Sequence, residues 1–205
     1  MPSSRNPLIF IFITRLIDAI GFGIVLPVLP DLLVHIGPMS LFVSDVAASE
    51  EFYTRMMGFA RTEVVTWHGH RCVFLRNGGE HHSLSLFPKA LRAELGLNPH
   101  TSVASMGVQV GSYRQLRDAV SFLEAKGARF TDAIPAELFP GVDYAAHVID
   151  PAGHCLMLYY YMERVGWDGR PRPASERRKV GKDWPESLEP MSDTYADPAF
   201  MGPLG

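Results

Sequence analysis

Apolar and polar positions follow a strand–helix–three-strand order that occurs twice along the chain. Period-two alternation is typical of half-buried strands, and apolar residues three or four apart are typical of helices. The first copy has a strand at 39–45, a helix at 46–58 and strands at 61–67, 71–77 and 82–87. The second has a strand at 105–111, a helix at 113–126 and strands at 129–134, 142–150 and 154–162. The pattern predicts an α+β fold of two tandem β-α-β-β-β modules, 38–88 and 105–162, in which the curved sheet of each module closes the concave side of the other.

Alternation within the strands also predicts which side chains face away from the helices. Leu41 and Leu84 are apolar and belong under a helix, so their neighbours Ser40, Phe42 and Ser85 face the opposite side. The same reasoning assigns Phe87, Ser105, Gly107, Gln109, Cys155, Met157 and Tyr159 to that side. This surface is small, hydroxylated and aromatic. The predicted pocket wall consists of Phe42, Phe87, Gln109, Met157 and Tyr159.

An apolar segment of a different character precedes the two modules. Residues 8–30 are long and apolar enough to cross a bilayer, which takes about 20 residues. We therefore expect a hydrophobic helical segment over 1–37, with membrane contact through residues 8–30. A membrane-anchored localisation is favoured over a soluble cytoplasmic one. The alternative is a helix that packs on the folded domain.

The spacing of special residues in this segment resembles that of one transporter family. Asp18, Gly21, Gly23, Pro27 and Pro30 are arranged as in the first transmembrane helix of major-facilitator drug exporters, and the resemblance covers residues 7–36. No later segment is long and apolar enough to supply partner helices, so a transporter is excluded. A lone anchor and a remnant of gene fusion remain as interpretations.

Composition and charge exclude one class of partner. The net charge is −3, the pI is about 6.2, and no basic stripe lies within the modules, so the sequence offers no electrostatic case for a nucleic-acid partner. The two cysteines, Cys72 and Cys155, lie in apolar strand-like runs and are interpreted as reduced core residues. Residues 163–205 are rich in Pro, Gly and charge, which predicts an irregular tail.

A tight turn at 150–154 leads into the apolar, aromatic-rich run 155–161. This segment resembles the closing strand of the vicinal-oxygen-chelate superfamily, which includes glyoxalases, extradiol ring-cleaving dioxygenases and bleomycin-resistance proteins. The resemblance covers 38–162 and implies paired modules that enclose one pocket. In its metal-using members it also implies ligands at four strand positions, which motif matching assigns to Pro38, Ser85, Ser105 and Met157. Serine, proline and methionine offer too little charge for Fe²⁺, Mn²⁺ or Zn²⁺, so no metal cofactor is predicted.

Three histidines keep an alternative open. His81 and His82 resemble the paired histidines of some dioxygenases, although they open a fourth strand rather than a fifth. His147 lies three residues before Asp150, where extradiol enzymes often carry a tyrosine that orients the substrate. These three are the candidate metal ligands for Fe²⁺ or Mn²⁺ in a rearranged site, and His147 is also the candidate catalytic residue. In the purely structural interpretation, His81 and His82 are a surface pair near a turn, and His147 is a core histidine bonded to the backbone.

Three functions from different classes therefore remain open. The first, which we favour, is binding of a small aromatic or amphipathic molecule without a metal ion. The second is an active extradiol dioxygenase or glyoxalase-type metalloenzyme with rearranged histidine ligands. The third is a membrane-tethered or vestigial fusion product with no small-molecule activity. A homodimer is compatible with each of them.

Overall fold

The computed structural model describes residues 33–166, 168–173, 175–177 and 184–188. Its eight strands are β1 (Leu33–Val43), β2 (Ala60–Trp67), β3 (His70–Arg76), β4 (Leu84–Pro88), β5 (Val103–Val110), β6 (Arg129–Phe130), β7 (Ala145–Ile149) and β8 (Cys155–Tyr159). They form one mixed sheet in the order β2-β3-β4-β1-β5-β8-β7-β6. The two halves meet where β1 pairs with β5 in antiparallel orientation, and each half repeats one topology, with β1 parallel to β4 and β5 parallel to β8. The predicted mixed α+β fold with a large curved sheet is confirmed.

Three α-helices accompany the sheet within the described residues. They are α1 (Val46–Glu51), which continues as a π-helical turn (Phe52–Met56), α2 (Leu91–Glu94) and α3 (Tyr113–Ala125). A 3₁₀ turn spans Ala136–Leu138. Helices α1 and α3 begin at polar capping residues, because the side chains of Asp45 and Ser112 accept hydrogen bonds from the free amides of Ala48 and Gln115.

The helices α1 and α3 cover one face of the sheet with two apolar clusters. The cluster on the first half joins Val73, Leu75, Leu84 and Leu86 to Leu41, Val43, Val46, Tyr53 and Phe59. The cluster on the second half includes Val110, Tyr113, Leu116, Val148, Leu158 and Tyr160. Leu41, Leu84 and Leu158 thus lie on the helix side, where alternation places them.

The opposite face, called the inner face below, carries a third apolar cluster. Its strand residues are Phe42, Cys72, Phe74, Phe87, Cys155, Met157 and Tyr159. Two connections supply the rest: Leu91, Leu95 and Leu97 come from the β4–β5 connection, and Ile134, Leu138, Phe139 and Val142 come from the β6–β7 connection. These connections fold over the sheet and pack against the strand residues of the inner face.

Several boundaries differ from the sequence prediction. Strand β1 begins at Leu33 rather than at residue 39, because the chain continues through a bulge at Gly37 and Pro38. Ile36 pairs with Val108 and Met39 with Met106, so three steps along β1 match two along β5. A Gly-Pro pair is typical of a turn, and this hid the first half of the strand. Helix α2 was not predicted, while β6 and β7 are shorter than the predicted runs 129–134 and 142–150.

The predicted membrane-anchored localisation is wrong. Residues 8–30, on which it rests, lie outside the described residues, as does the predicted helical segment 1–37 up to residue 32. Among the residues that the structure describes, no helix combines the length and the apolar character needed to cross a bilayer. The longest of these, α3, has 13 residues, which corresponds to about 20 Å against a hydrocarbon core of about 30 Å.

Candidate ligand site

Three serines lie side by side at the centre of the inner face. Ser40 of β1 pairs with Ser85 of β4 on one side and with Ser105 of β5 on the other. Their exposed fractions are 0%, 0% and 1%. None of the three hydroxyl oxygens has a hydrogen-bond partner among the described residues. Buried hydroxyls normally have partners, and leaving one unpaired costs about 1–3 kcal/mol. This serine row is therefore a place where a bound polar group would be stabilised.

Aromatic side chains and a thioether surround the serine row. Phe42 and Phe87 are paired neighbours on β1 and β4, with ring centroids 6.4 Å apart. Met157 and Tyr159 belong to the same inner-face cluster on β8. The structure thus brings together four of the five residues predicted to form the pocket wall. The fifth, Gln109, is also buried, but its amide nitrogen donates to the carbonyl oxygen of Tyr160 at 3.0 Å.

Glycines at two positions allow β1 to pack closely against side chains and backbone of β5 and β8. A side chain at Gly37 would overlap the ring and hydroxyl of Tyr159, and a Cβ atom at Gly107 would lie 2.6 Å from Cδ of Pro38. Pro38 therefore packs on the inner side of Gly107, which itself pairs with Met157. The Tyr159 hydroxyl has no hydrogen-bond partner among the described residues, and its pKa is raised by burial and by the charge of Glu80.

A hydrogen-bonded chain of three side chains reaches this cluster from the edge strand. Glu63 of β2 lies 3.0 Å from Nε2 of His81, and Nδ1 of His81 lies 3.1 Å from Nδ1 of His82. Both histidines are fully buried, so they are not a surface pair. The His82 ring packs against Phe74 at 5.0 Å and is stacked on Phe139 at 6.5 Å. Its second nitrogen, Nε2, has no partner among the described residues.

The charges at the outer end of this chain are balanced by the tail. Arg177 donates two hydrogen bonds to Glu63, at 3.1 and 2.6 Å, and forms an ion pair with Glu163 at 3.2 Å. Burial by itself would raise the pKa of Glu63, but hydrogen bonds from His81 and Arg177 and the charge of Arg177 lower it to about 2. Glu63 is therefore ionised over the physiological range. At the inner end, burial and the neighbouring His81 hold the pKa of His82 well below its usual value.

His147 lies on the inner face as well. It pairs with Met157 between β7 and β8, and its ring is 5.9 Å from that of Phe139. Only 5% of the residue is exposed, and burial lowers its pKa to about 4. Its Nε2 atom has no partner among the described residues. Phe139 thus contacts two buried neutral imidazoles, His82 and His147, and each can offer one ring nitrogen to a ligand.

The residues at the family's metal positions do not fit a divalent metal ion. Pro38 has no donor atom, Ser85 and Ser105 carry neutral hydroxyls, and Met157 offers one soft thioether. Iron, manganese and zinc require carboxylate, imidazole or thiolate ligands. Within the described ranges, no group of three or more His, Cys, Asp or Glu side chains is placed to hold a metal ion.

Comparison with known families identifies the fold. A model of the Glyoxalase/Bleomycin resistance protein/Dioxygenase superfamily matches residues 33–158, which is more than half of the chain. The chain belongs to this superfamily. The matched region begins at the first residue of β1 and ends within β8, so it covers both modules. A search of curated proteins found no significant match. The comparisons do not support the resemblance of residues 7–36 to an exporter helix.

Solved structures of dioxygenases share this superfamily fold. A halotolerant catechol dioxygenase, BphC, matches with a TM-score of 0.53 and 16% identity over 67% of this chain and 43% of its own. The 2,2′,3-trihydroxybiphenyl 1,2-dioxygenase from Sphingomonas wittichii RW1 matches at 0.53 and 24% over 68% and 50%. Homoprotocatechuate 2,3-dioxygenase from Arthrobacter globiformis matches at 0.53 and 25% over 66% and 38%. The chain therefore spans half or less of the length of these enzymes, and the likeness supports the fold.

Sequence reasoning missed two features of this superfamily member. Motif matching assigned the first-strand position to Pro38, whereas the residue in register with Ser85 and Ser105 is Ser40. Alternation alone already faced Ser40 inward, so the signal was present. The link from Glu63 to His81 was also missed, and no local pattern could have found it, because the two residues lie 18 positions apart on different structural elements.

Proposed function

We propose that this protein binds a small aromatic or amphipathic molecule on the inner face of the sheet without a metal ion. The observation that carries the proposal is the serine row, in which Ser40, Ser85 and Ser105 are buried with unpartnered hydroxyls. A binding protein keeps such groups at a cost in stability because a ligand satisfies them. The superfamily fold is compatible with this role, but a fold by itself does not determine function.

The chemistry of the surroundings indicates what such a molecule would look like. Each serine hydroxyl can donate one hydrogen bond and accept others, so a carbonyl or hydroxyl oxygen fits the row. Phe42, Phe87 and Tyr159 offer aromatic rings beside it, and these rings favour a flat apolar group. The ligand class is therefore a small ring compound that carries at least one oxygen.

The proposal is tested by binding of simple probes to the full chain. Phenol and benzyl alcohol are titrated into the protein, which has been stripped of metal by a chelator, and binding is followed by protein-detected NMR. We expect saturable binding that weakens by about tenfold or more, equivalent to about 1.4 kcal/mol, when Ser40, Ser85 and Ser105 are all changed to alanine. Ser121→Ala, at an exposed helix position, is the matched control. Equal affinity of the triple variant and the control overturns the proposal.

A second candidate function is a dioxygenase or glyoxalase-type metalloenzyme with a rearranged site. The observation that favours it is the pair of buried imidazoles, His82 and His147, whose Nε2 atoms are unpartnered and whose rings both contact Phe139. Elemental analysis after anaerobic purification with added Fe²⁺ or Mn²⁺ separates the two functions. About one bound ion per chain, lost in His82→Ala and His147→Ala, would establish this alternative.

A further inference from the structure

The hydrogen-bonded chain from Glu63 to His82 has one direction when His81 is neutral. An ionised carboxylate can only accept hydrogen bonds, so the 3.0 Å contact with His81 places the proton of a neutral His81 on Nε2. Nδ1 of His81 is then an acceptor. The 3.1 Å contact between the two Nδ1 atoms therefore requires His82 to donate from its own Nδ1. What remains on His82 is Nε2 with an unshared electron pair, which can only accept.

This accepting nitrogen belongs to the same face as the serine row. The His82 ring packs on Phe74, and Phe74 pairs directly with Ser85 between β3 and β4. Nε2 lies on the opposite edge of the ring from the bond to His81, in a fully buried residue, and has no partner among the described residues. An acceptor in this position is satisfied only by a hydrogen-bond donor that enters the inner-face cluster. No polar side chain among the described residues provides that donor, so Nε2 is able to accept a hydrogen bond from a ligand.

We infer that the molecule bound on the inner face presents a hydroxyl or N–H group to Nε2 of His82, as a phenol does. This inference rests on the proposed function and narrows its ligand class from oxygen-bearing ring compounds to those with a donor hydrogen. An ether or ester of the same shape leaves Nε2 unpaired and is discriminated against, since an unmet buried acceptor costs more than a missing weak contact. Glu63 and His81 are positioning residues: they determine which ring nitrogen of His82 is protonated, and they do not contact the ligand.

One experiment measures, without any ligand, which ring nitrogen of His82 carries the proton. Histidine ring nitrogens of the full chain are observed by ¹⁵N NMR at neutral pH, and the His82 signals are assigned by their loss in His82→Phe. We expect a protonated, pyrrole-type Nδ1 and an unprotonated, pyridine-type Nε2. A proton on Nε2 overturns the inference, because the residue would then demand an acceptor from the ligand.

A second experiment measures the consequence for binding. Phenol and anisole share the same ring and differ in the donor hydrogen. The wild-type protein should bind phenol about tenfold more tightly than anisole, and the ratio should fall to about one in His82→Phe, which keeps the stacking ring. Glu63→Gln is the second variant, and it should lower the ratio with His82 intact. His100→Phe, at an exposed position, is the control and should keep the wild-type ratio.

The outcomes separate this inference from the proposed function. Equal binding of phenol and anisole by the wild-type protein overturns the donor requirement and leaves ligand binding itself standing. A preference for phenol that survives in both His82→Phe and Glu63→Gln assigns the discrimination to another group and also overturns the inference. Failure of both probes to bind refutes the proposed function, and the inference then falls with it.

Discussion

Arg177 donates two hydrogen bonds to Glu63, although 114 positions separate the two residues in the chain. The same guanidinium forms an ion pair with the buried Glu163. The tail is thereby attached to the edge strand β2 at the point where the Glu63–His81–His82 chain begins. Removal of this one side chain leaves two carboxylates close together without their shared cation.

Arg177→Leu should lower the free energy of unfolding by about 2 kcal/mol at neutral pH, because it leaves the partly buried Glu63 and the buried Glu163 without their counterion. Chemical denaturation of the full chain measures this change. Arg170→Leu is the control, since Arg170 is exposed and its contact with Asp168 is 4.0 Å long. Equal stability of Arg177→Leu and the control would contradict the attachment of the tail.

The stability of the wild-type protein should fall in acid because of Glu63. Its pKa is about 2 in the folded protein against an ordinary value of 4.5, so its contribution is complete above pH 4.5 and is lost as the pH falls towards 2. The shift corresponds to at most about 3 kcal/mol. Denaturation curves of wild-type protein and Glu63→Gln should converge over this interval. A constant difference between the two proteins from pH 6 to pH 2.5 would be inconsistent with the depressed pKa.

A second loss of stability belongs to His147 at higher pH. Burial lowers its pKa from 6.5 to about 4, so the folded state resists protonation. The contribution of the neutral His147 to the free energy of unfolding is fully present above pH 6.5. It decreases as the pH falls to 4, by on the order of 3 kcal/mol. His147→Phe should lack this component and be more stable than the wild type at pH 4.5. If the free energy of unfolding of His147→Phe falls between pH 6.5 and pH 4 as steeply as that of the wild type, groups other than His147 cause the loss of stability.

The serine row predicts an unusual response to alanine. Ser85→Ala should raise the free energy of unfolding by about 1 kcal/mol, because it removes a buried hydroxyl that has no partner among the described residues. Urea denaturation without ligand measures the change, and the exposed Ser121→Ala should show almost none. A loss of stability in Ser85→Ala would show that the hydroxyl is hydrogen-bonded in solution.

The close packing of β1 on β5 predicts a sharp contrast between two glycines. Gly107→Ala should destabilise the protein by about 2 kcal/mol, because the new Cβ would lie 2.6 Å from Cδ and 3.0 Å from the backbone nitrogen of Pro38. Gly78→Ala is the matched control, since nothing lies within 4 Å of a Cβ atom at that position. Similar melting temperatures for the two variants would contradict the bulge geometry.

Local pattern predicted the sheet and its faces well, since every strand repeats the same information every second residue. Leu41 and Leu84 needed only their neighbours to be assigned to the helix side. The early start of β1 could not be predicted, because Gly37 and Pro38 continue a strand in which the partner strand, and not local preference, fixes the path.

The candidate site was harder to predict than the sheet, for a physical reason. Phe42 and Phe87 follow from alternation, but the pairing of Glu63 with Arg177 depends on how a tail returns to an edge strand. Side chains that meet across such distances leave no periodic trace. The position of the proton on the His82 ring is still harder to predict from the sequence, because it depends on Glu63 through the intervening His81.

The bulge in β1 also separates two registers within one strand. Ile36 and Met39 both keep their own partners on β5 although an extra residue stands between them. The register that places Ser40 opposite Ser105 is thus set on the C-terminal side of the bulge, separately from the register of residues 33–36. We therefore expect a change in the pairing of residues 33–36 to leave the residues that would meet a ligand in place.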